Sequence, residues 1–135
     1  MQRNKVKKNI RDISVLIVDD NLINQKVLSY SILRYGAKFF FANNGQIAVD
    51  KYAEIHYELI LMDINMPVMD GLEATRNIRN FEKIHNLKAS VIVAISANYI
   101  EEEREKYLSY GLDEIIHKPL DFNKFKFILS NYFEL

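Results

Sequence analysis

The stretch from Ile60 to Gly71, ILMDINMPVMDG, is typical of a buried strand that stops at an acidic residue. Three apolar residues precede Asp63, and Pro67 and Gly71 mark the loop that follows it. A lone buried carboxylate costs free energy unless a hydrogen bond, an opposite charge or a metal ion compensates it. The stretch therefore predicts that other parts of the chain supply partners for Asp63.

The composition is that of one ordinary globular domain. The chain has 135 residues, of which 49% are hydrophobic, and 18 basic residues balance 18 acidic ones. This balance gives no reason to expect direct binding of nucleic acid. The absence of cysteine excludes disulfides and thiolate metal sites. No apolar run approaches the length of about 20 residues that a membrane helix needs, so we expect no membrane insertion by this chain.

Five short β-rich runs alternate with five longer helical patterns. The predicted strands cover residues 13–18, 37–42, 58–62, 90–95 and 113–116. The predicted helices cover residues 22–35, 46–55, 71–81, 100–110 and 122–133. This alternation predicts a doubly wound α/β domain with a parallel sheet and helices on both faces. Apolar residues at helical spacing mark the packing faces of the helices, and these include Ile23, Val27, Ile55 and Phe122.

The first twelve residues form a separate segment in this interpretation. They carry five basic side chains and no apolar core of a secretory signal. We interpret residues 1–12 as a solvated basic arm or linker and residues 13–135 as the domain. The basic side chains are Arg3, Lys5, Lys7, Lys8 and Arg11.

Polar residues follow four of the predicted strands. Asp19 and Asp20 come after the first strand, Asp63 after the third, Ser96 after the fourth and Lys118 after the fifth. Ligands of doubly wound sheets bind at the carboxyl ends of the strands, so we expect these side chains to share one crevice. Three carboxylates repel one another, and Mg²⁺ is a cation that prefers oxygen ligands. The pattern favours phosphoryl transfer, with Asp63 as nucleophile.

Four motifs resemble the receiver domains of two-component signalling. They are VLIVDDNLINQKV, LILMDINMPVMDGLEATRNIR, AISAN and HKP, and the resemblance runs from about Ile13 to Tyr132. The segment MPVMDGLEATRNIR is most similar to the corresponding segment in the receivers of hybrid sensor histidine kinases. The resemblance implies a flavodoxin-like receiver fold with the strand order 2-1-3-4-5.

The resemblance also implies a role for each site residue. Asp63 would be the phospho-acceptor and would take its phosphoryl group from a sensor histidine kinase or a histidine phosphotransfer protein. Asp20 and Asp63, with the backbone carbonyl of Asn65, would bind Mg²⁺, while Asp19 would act mainly through a bound water. Ser96 and Lys118 would hold the phosphoryl oxygens.

Further positions would tune the reaction or switch the domain. The side chains of Asn65 and Asn98 match positions that set how fast the acyl phosphate hydrolyses, and the bond before Pro119 is expected to be cis. Ile115 occupies the position where the family usually has a switching Tyr or Phe. Since isoleucine has no ring to move, the resemblance does not extend to the aromatic half of that switch.

The implied protein is a cytoplasmic signalling domain, not an enzyme that turns over substrate. It would catalyse only its own phosphorylation and slow dephosphorylation, and it would stand alone or belong to a longer, membrane-bound hybrid kinase. Five aromatic residues near the fourth helix, fifth strand and fifth helix would mark a partner or homodimer surface, or merely pack at the sheet edge. They are Tyr99, Tyr107, Tyr110, Phe127 and Phe133.

Three other functions remain as alternatives. A Mg²⁺-dependent aspartyl phosphatase of the haloacid-dehalogenase kind also uses a nucleophilic Asp, but it usually has a second Asp where this chain has Asn65. A flavin-binding domain would need a phosphate-cradling loop after the first strand, where two acids stand instead. A protein-interaction module that never takes phosphate would have no need of the full set of reactive residue types.

Overall fold

The computed structural model describes residues 6–135, in which five parallel strands alternate with five α-helices. The strands are β1 (Ser14–Val18), β2 (Lys38–Ala42), β3 (Leu59–Asp63), β4 (Val91–Ser96) and β5 (Glu114–His117). The helices are α1 (Leu22–Leu33), α2 (Gly45–Glu54), α3 (Gly71–Ile84), α4 (Arg104–Leu108) and α5 (Phe122–Tyr132). Two short 3-10 helices span Ile10–Asp12 and Glu101–Glu103. Among the described helices, none is both long and apolar enough to cross a membrane.

The sheet has the order β2-β1-β3-β4-β5 with every pair parallel, which confirms the predicted fold class. All five side chains of β3 are buried, because helices cover both faces of the sheet. The core accordingly forms two clusters, one on each face. The register places Val18 of β1 beside Met62 of β3 and Asp63 beside Ile95 of β4, so the carboxyl ends of these central strands meet at one edge.

The elements agree with the sequence prediction in number and order but differ at their ends. Helix α3 runs to Ile84, three residues beyond the predicted end at Phe81. The predicted helix over 100–110 is instead a 3-10 turn followed by the five residues of α4. No residue of α4 is fully buried, and short helices depend on tertiary packing for their stability. The weak packing explains why this helix is shorter than its sequence pattern predicts.

Four apolar residues predicted on packing faces are exposed instead. Ile23 is 72% exposed and Val27 is 38% exposed, whereas Leu28 and Ile32 contact the sheet. Because α1 is apolar around most of its circumference, residue spacing alone does not select its inward side. Ile55 and Phe122 lie at the end of α2 and the start of α5, and they are exposed by 49% and 42%.

The five aromatic residues near α4, β5 and α5 are mostly packed against the domain. Tyr99 and Phe133 are buried, at 4% and 5% exposure, because each lies in the apolar core on its side of the sheet. Tyr107 and Tyr110 are half-buried, and Phe127 is 68% exposed. Of the two interpretations of these residues, packing against the sheet is therefore confirmed for Tyr99 and Phe133, and Phe127 alone of the five is largely exposed.

Part of the predicted basic arm packs on the domain. Arg3 and Lys5 lie outside the described residues. Asn9 forms a parallel bridge with Glu134, and the backbone N–H of Ile10 donates to the Glu134 carbonyl at 2.8 Å. The side chain of Ile10 is 1% exposed and belongs to the core next to α5. From Asn9 onward the segment is thus part of the folded domain, where the sequence predicts a solvated linker.

Candidate functional site

Three carboxylates meet at the carboxyl edge of the sheet. Asp19 follows β1 and Asp63 ends β3, and both are buried, at 0% and 4% exposure. Asp20 is exposed. Each side chain offers one oxygen, and these three oxygens lie within 4.8 Å of one another. The parallel register of β1 and β3 produces this cluster, because it ends the two strands side by side.

Lys118 brings one positive charge to the same cluster. Its Nζ lies 3.1 Å from Oδ1 of Asp63 and 3.3 Å from Oδ2 of Asp19. The backbone N–H of Lys118 donates to the carbonyl of Ser96 at 3.0 Å, which ties the loop after β5 to the end of β4. The bond between Lys118 and Pro119 is cis. Three carboxylates against one ammonium leave the cluster with a formal excess of two negative charges.

The pKa values of the central pair follow from burial and charge. Burial raises the pKa of the Asp63 carboxyl, and the neighbouring charge of Asp19 raises it further, while Lys118 opposes both. Burial acts to lower the pKa of Lys118, but Asp19 and Asp63 outweigh it, so this pKa is raised. Lys118 therefore stays protonated near neutral pH, but its single positive charge does not balance the three carboxylates of the crevice.

Local structure holds both buried acids in place. The N–H of Asn21 donates to Oδ1 of Asp19 at 2.9 Å, and the side chain of Asn21 in turn caps α1. After β3, the N–H of Gly71 donates to the carbonyl of Ile64 at 2.8 Å. A Cβ at position 71 would clash with the carbonyl oxygen of Asp63. Glycine therefore lets α3 begin directly against the end of β3.

The remaining predicted residues lie around this centre. Ser96 ends β4 and is fully buried, and its Oγ accepts a hydrogen bond from the N–H of Asn98 at 3.2 Å. Asn65 and Asn98 are exposed loop residues. Pro119 lines a cavity of about 120 Å³ together with Asp19 and Lys118. Ile115 is 3% exposed and pairs with Ala94, so it belongs to the core of the sheet rather than to the crevice.

A match to a known family accompanies this geometry. The family model described as "Response regulator receiver domain" matches residues 15–129. The chain belongs to this receiver family. Membership agrees with the acidic cluster and Lys118 at the carboxyl edge, and it makes the protein a receiver domain of two-component signalling.

The receiver is similar to parts of much longer proteins. It is 36% identical over 110 residues to hybrid signal transduction histidine kinase M from Dictyostelium discoideum. That alignment covers 80% of this chain but only 5% of the kinase. The chain thus spans a small fraction of the length of the curated relatives it matches.

Two solved structures resemble the receiver along most of its length. One is the receiver domain of Ssk1, co-crystallised with the histidine phosphotransfer signalling protein Ypd1 from Saccharomyces cerevisiae. It is 32% identical, has a TM-score of 0.82 and matches 95% of this chain and 91% of its own. The other is the receiver of a Pseudomonas aeruginosa sensor histidine kinase with magnesium in its active-site cleft. It is 32% identical, has a TM-score of 0.76 and matches 89% and 96% of the two chains.

The donor set of this receiver fits a hard divalent cation. Mg²⁺ prefers oxygen ligands and keeps several waters, so it needs only a few carboxylates and access to solvent. The cluster provides three carboxylates, one of them exposed. Together with Lys118 it has a formal charge of −2, which one divalent cation would neutralise.

Sequence reasoning missed Gln25, which supports the crevice from α1. Its side chain is 5% exposed, and Nε2 donates to the carbonyl of Asp19 at 2.7 Å and to Oδ1 of Asn43 at 2.8 Å. The carboxyl end of β1 is thereby tied to the loop after β2. A signal was present, since Gln25 stands three residues before Leu28 and seven before Ile32, which puts a polar side chain on the buried face of α1.

Proposed function

We propose that this receiver accepts a phosphoryl group on Asp63 from a phosphohistidine and that the resulting acyl phosphate switches the binding of a partner. One observation carries the proposal. A buried carboxylate ends the central strand β3 beside two further acids, with an ammonium 3.1 Å away. This arrangement places a nucleophilic carboxylate beside groups that can neutralise the charge of a phosphoryl group, namely the ammonium and the acids that could bind a cation.

The transfer itself needs positioning and charge neutralisation more than covalent help from the protein. A carboxylate oxygen of Asp63 attacks phosphorus, an O–P bond forms, and the P–N bond to histidine breaks. The imidazole nitrogen keeps the electron pair of that bond. The ammonium of Lys118 offsets charge on the phosphoryl oxygens, and the hydroxyl of Ser96 donates a hydrogen bond to one of them.

We assign Mg²⁺ to the carboxylates of Asp20 and Asp63 and to the backbone carbonyl of Asn65, with Asp19 acting through a water. When bound, Mg²⁺ supplies the positive charge that the cluster lacks. The side chains of Asn65 and Asn98, on the two loops beside the crevice, set the rate at which the acyl phosphate hydrolyses. The receiver turns over no other substrate and dephosphorylates itself slowly.

A sensor histidine kinase or a histidine phosphotransfer protein is the proposed phosphoryl donor, and the outward face of α1 is its docking surface. Leu22, Ile23, Tyr30 and Leu33 are exposed by 57% to 73% on this one helix, which begins two residues after Asp20. An apolar patch of this kind is typical of a protein interface. The related Ssk1 receiver was crystallised with such a phosphotransfer protein.

The cellular location of the receiver, its place in a longer protein and its oligomeric state are also proposals. We propose that the receiver works in the cytoplasm, either alone or as a piece of a hybrid kinase, with the basic residues before Asn9 as its linker. A homodimer through α4, β5 and α5 also stays a prediction.

The test is a thermal melt with Mg²⁺, with and without beryllofluoride, which mimics a phosphoryl group on aspartate. A ligand that binds only the folded state raises the melting temperature, and at one hundred times its Kd it contributes about 2.7 kcal/mol. We expect a rise that requires Mg²⁺ in the wild type and its loss in Asp63→Asn.

Asp70→Asn is the matched control for this melt. Asp70 is an exposed acid that caps α3, and asparagine caps a helix equally well. This variant should therefore keep the beryllofluoride response of the wild type. No response in the wild type would contradict the proposed function and would favour an interaction module that ignores phosphate.

A further inference from the structure

A buried aromatic residue lies between the candidate phosphoryl site and α4. Tyr99 stands three residues after Ser96 and is 4% exposed. Its ring centroid lies 5.1 Å from that of His117, the last residue of β5, and 5.5 Å from that of Tyr107 in α4. The ring thus contacts both the end of the sheet and the helix beside it.

The site side of this contact consists of the two segments that carry Ser96 and Lys118. The Oγ of Ser96 accepts a hydrogen bond from the N–H of Asn98, the residue directly before Tyr99. His117 directly precedes Lys118, whose own N–H donates to the carbonyl of Ser96 at 3.0 Å. A change in the hydrogen bonding of Ser96 therefore reaches the backbone that holds Tyr99.

The helix side of the contact is weakly anchored. Helix α4 has five residues, none fully buried, and Tyr107 is half-buried. The hydroxyl of Tyr99 donates to Glu101 in the adjoining 3-10 turn at 3.2 Å. Arg104 reaches Glu114 of β5 only at 3.7 Å, in an ion pair that is partly exposed. Such exposed pairs contribute little, so apolar packing mainly attaches α4 to the sheet, through Leu108 on the core and Tyr107 on Tyr99.

No ring is available from the facing position of β5. Ile115 is 3% exposed and lies in the same apolar cluster as Tyr99. An aliphatic side chain in a packed core has little room to move. The aromatic group that joins the β4 edge to α4 therefore comes from the loop after β4.

We propose that Tyr99 is the positioning residue that transmits occupancy of Asp63 to α4, in the place of a ring that Ile115 does not supply. The inference rests on the proposed function, because it needs a phosphoryl group on Asp63. When the hydroxyl of Ser96 turns to that group, its contact with the N–H of Asn98 changes and the loop over 97–100 moves with Tyr99. The ring then repacks against Tyr107 and shifts α4, since packed interfaces move between discrete arrangements.

Hydrogen exchange of the amides of α4, measured with Mg²⁺ and with or without beryllofluoride, tests this coupling. In the wild type we expect beryllofluoride to change exchange both over 97–100 and over 104–108. In Tyr99→Leu the change over 104–108 should be lost, while the thermal shift caused by beryllofluoride remains. Tyr99→Phe keeps the ring and should retain the response of α4.

Tyr57→Leu is the matched control. Tyr57 is also buried, at 3% exposure, but it precedes β3 at the opposite end of the sheet and packs on Phe40. The same substitution there should leave the response of α4 intact. If Tyr99→Leu does not fold, Tyr107→Leu replaces it, because it removes the half-buried partner ring and should abolish the same response.

The outcomes separate the two proposals. A normal response of α4 in folded Tyr99→Leu overturns the coupling but leaves phosphoryl acceptance standing. The same holds for Tyr107→Leu if that variant has to be used because Tyr99→Leu does not fold. If Tyr57→Leu also loses the response of α4, removal of any buried ring is sufficient to loosen the core, and this result overturns the coupling through Tyr99 as well. No thermal shift with beryllofluoride in the wild type would overturn the proposed function and the coupling together.

Discussion

Two polar clusters lie at opposite edges of the same sheet, and they differ in how their charges are balanced. At the carboxyl edge, three carboxylates face a single ammonium within the described part of the chain. At the amino edge, ionic and neutral side chains form a largely buried network in which each charge has a partner of opposite sign. Its members are Tyr52, Arg79, Glu82, Ser90 and Asp113.

Glu82 shows how completely the amino-edge network is paired. It is 5% exposed and accepts hydrogen bonds from Arg79 at 2.9 Å, from the N–H of Ser90 at 2.8 Å and from the hydroxyl of Tyr52 at 2.6 Å. Arg79 also donates to Asp113 at 2.9 Å. A buried network satisfied in this way rigidifies a fold, whereas unbalanced charge marks a place where a ligand completes the structure. The amino edge is therefore scaffold, and the carboxyl edge is the candidate site.

The largest effect is expected from Glu82→Gln at the amino edge. The substitution keeps the size of the side chain but leaves the half-buried guanidinium of Arg79 with one of its two carboxylates. Removing one partner of a buried pair costs about 3 kcal/mol of unfolding free energy, which denaturant titration measures.

Glu73→Gln is the control for that experiment on the same helix. Glu73 and Arg76 have the same spacing as the buried pair but lie 3.7 Å apart and are half exposed. Their loss should cost at most about 1 kcal/mol. Equal losses in the two variants would show that the amino-edge network adds nothing beyond a surface ion pair.

A smaller, pH-dependent effect is expected from Glu58→Gln, just before β3. Burial acts to raise the pKa of Glu58, but hydrogen bonds from the N–H of Ser14 and from Lys8 outweigh it, so the pKa is lowered from 4.5. A carboxyl whose pKa is lower in the folded than in the unfolded state stabilises the fold at every pH above its unfolded-state pKa. This stabilisation is lost as the pH falls through the folded-state pKa. Denaturant titration should show a loss of about 1 kcal/mol at neutral pH and a smaller loss in acid, as the pH falls through the lowered pKa of Glu58.

Glu54→Gln, a change of the same kind at an exposed position on α2, should leave stability unchanged at both pH values. A loss in Glu58→Gln that is undiminished in acid would show that the carboxylate charge of Glu58 is not its source.

The smallest effect is expected from Asp20→Asn, and it has the opposite sign. Removing one of three acids relieves repulsion, so stability in a chelating buffer should rise by about 0.5 kcal/mol. With Mg²⁺ the order should reverse, because the wild type gains stabilisation that the variant lacks. Thermal melts in both buffers measure this, with Asp50→Asn on α2 as the control. A variant less stable than the wild type in the chelating buffer would mean that the carboxyl edge is as balanced as the amino edge.

Much of the site could be predicted because it depends on a rule of topology. Asp19, Asp20, Asp63 and Lys118 each stand at the end of a strand, and parallel strands bring their carboxyl ends to one edge. The alternation of strands and helices was sufficient for that step. The strand order came from the resemblance, and the sheet confirms it.

Local patterns in the sequence were thus sufficient to predict the class of fold, the order of its elements and the acids and lysine of the crevice. Tertiary structure alone decided which apolar side chains are covered, because α1 is apolar on both sides and only packing selects Leu28 over Ile23. It also decided the partners of Glu82 and the burial of Ile10 and Tyr99. These contacts join segments far apart in the chain or depend on the path of a loop, and no local periodicity records such distances.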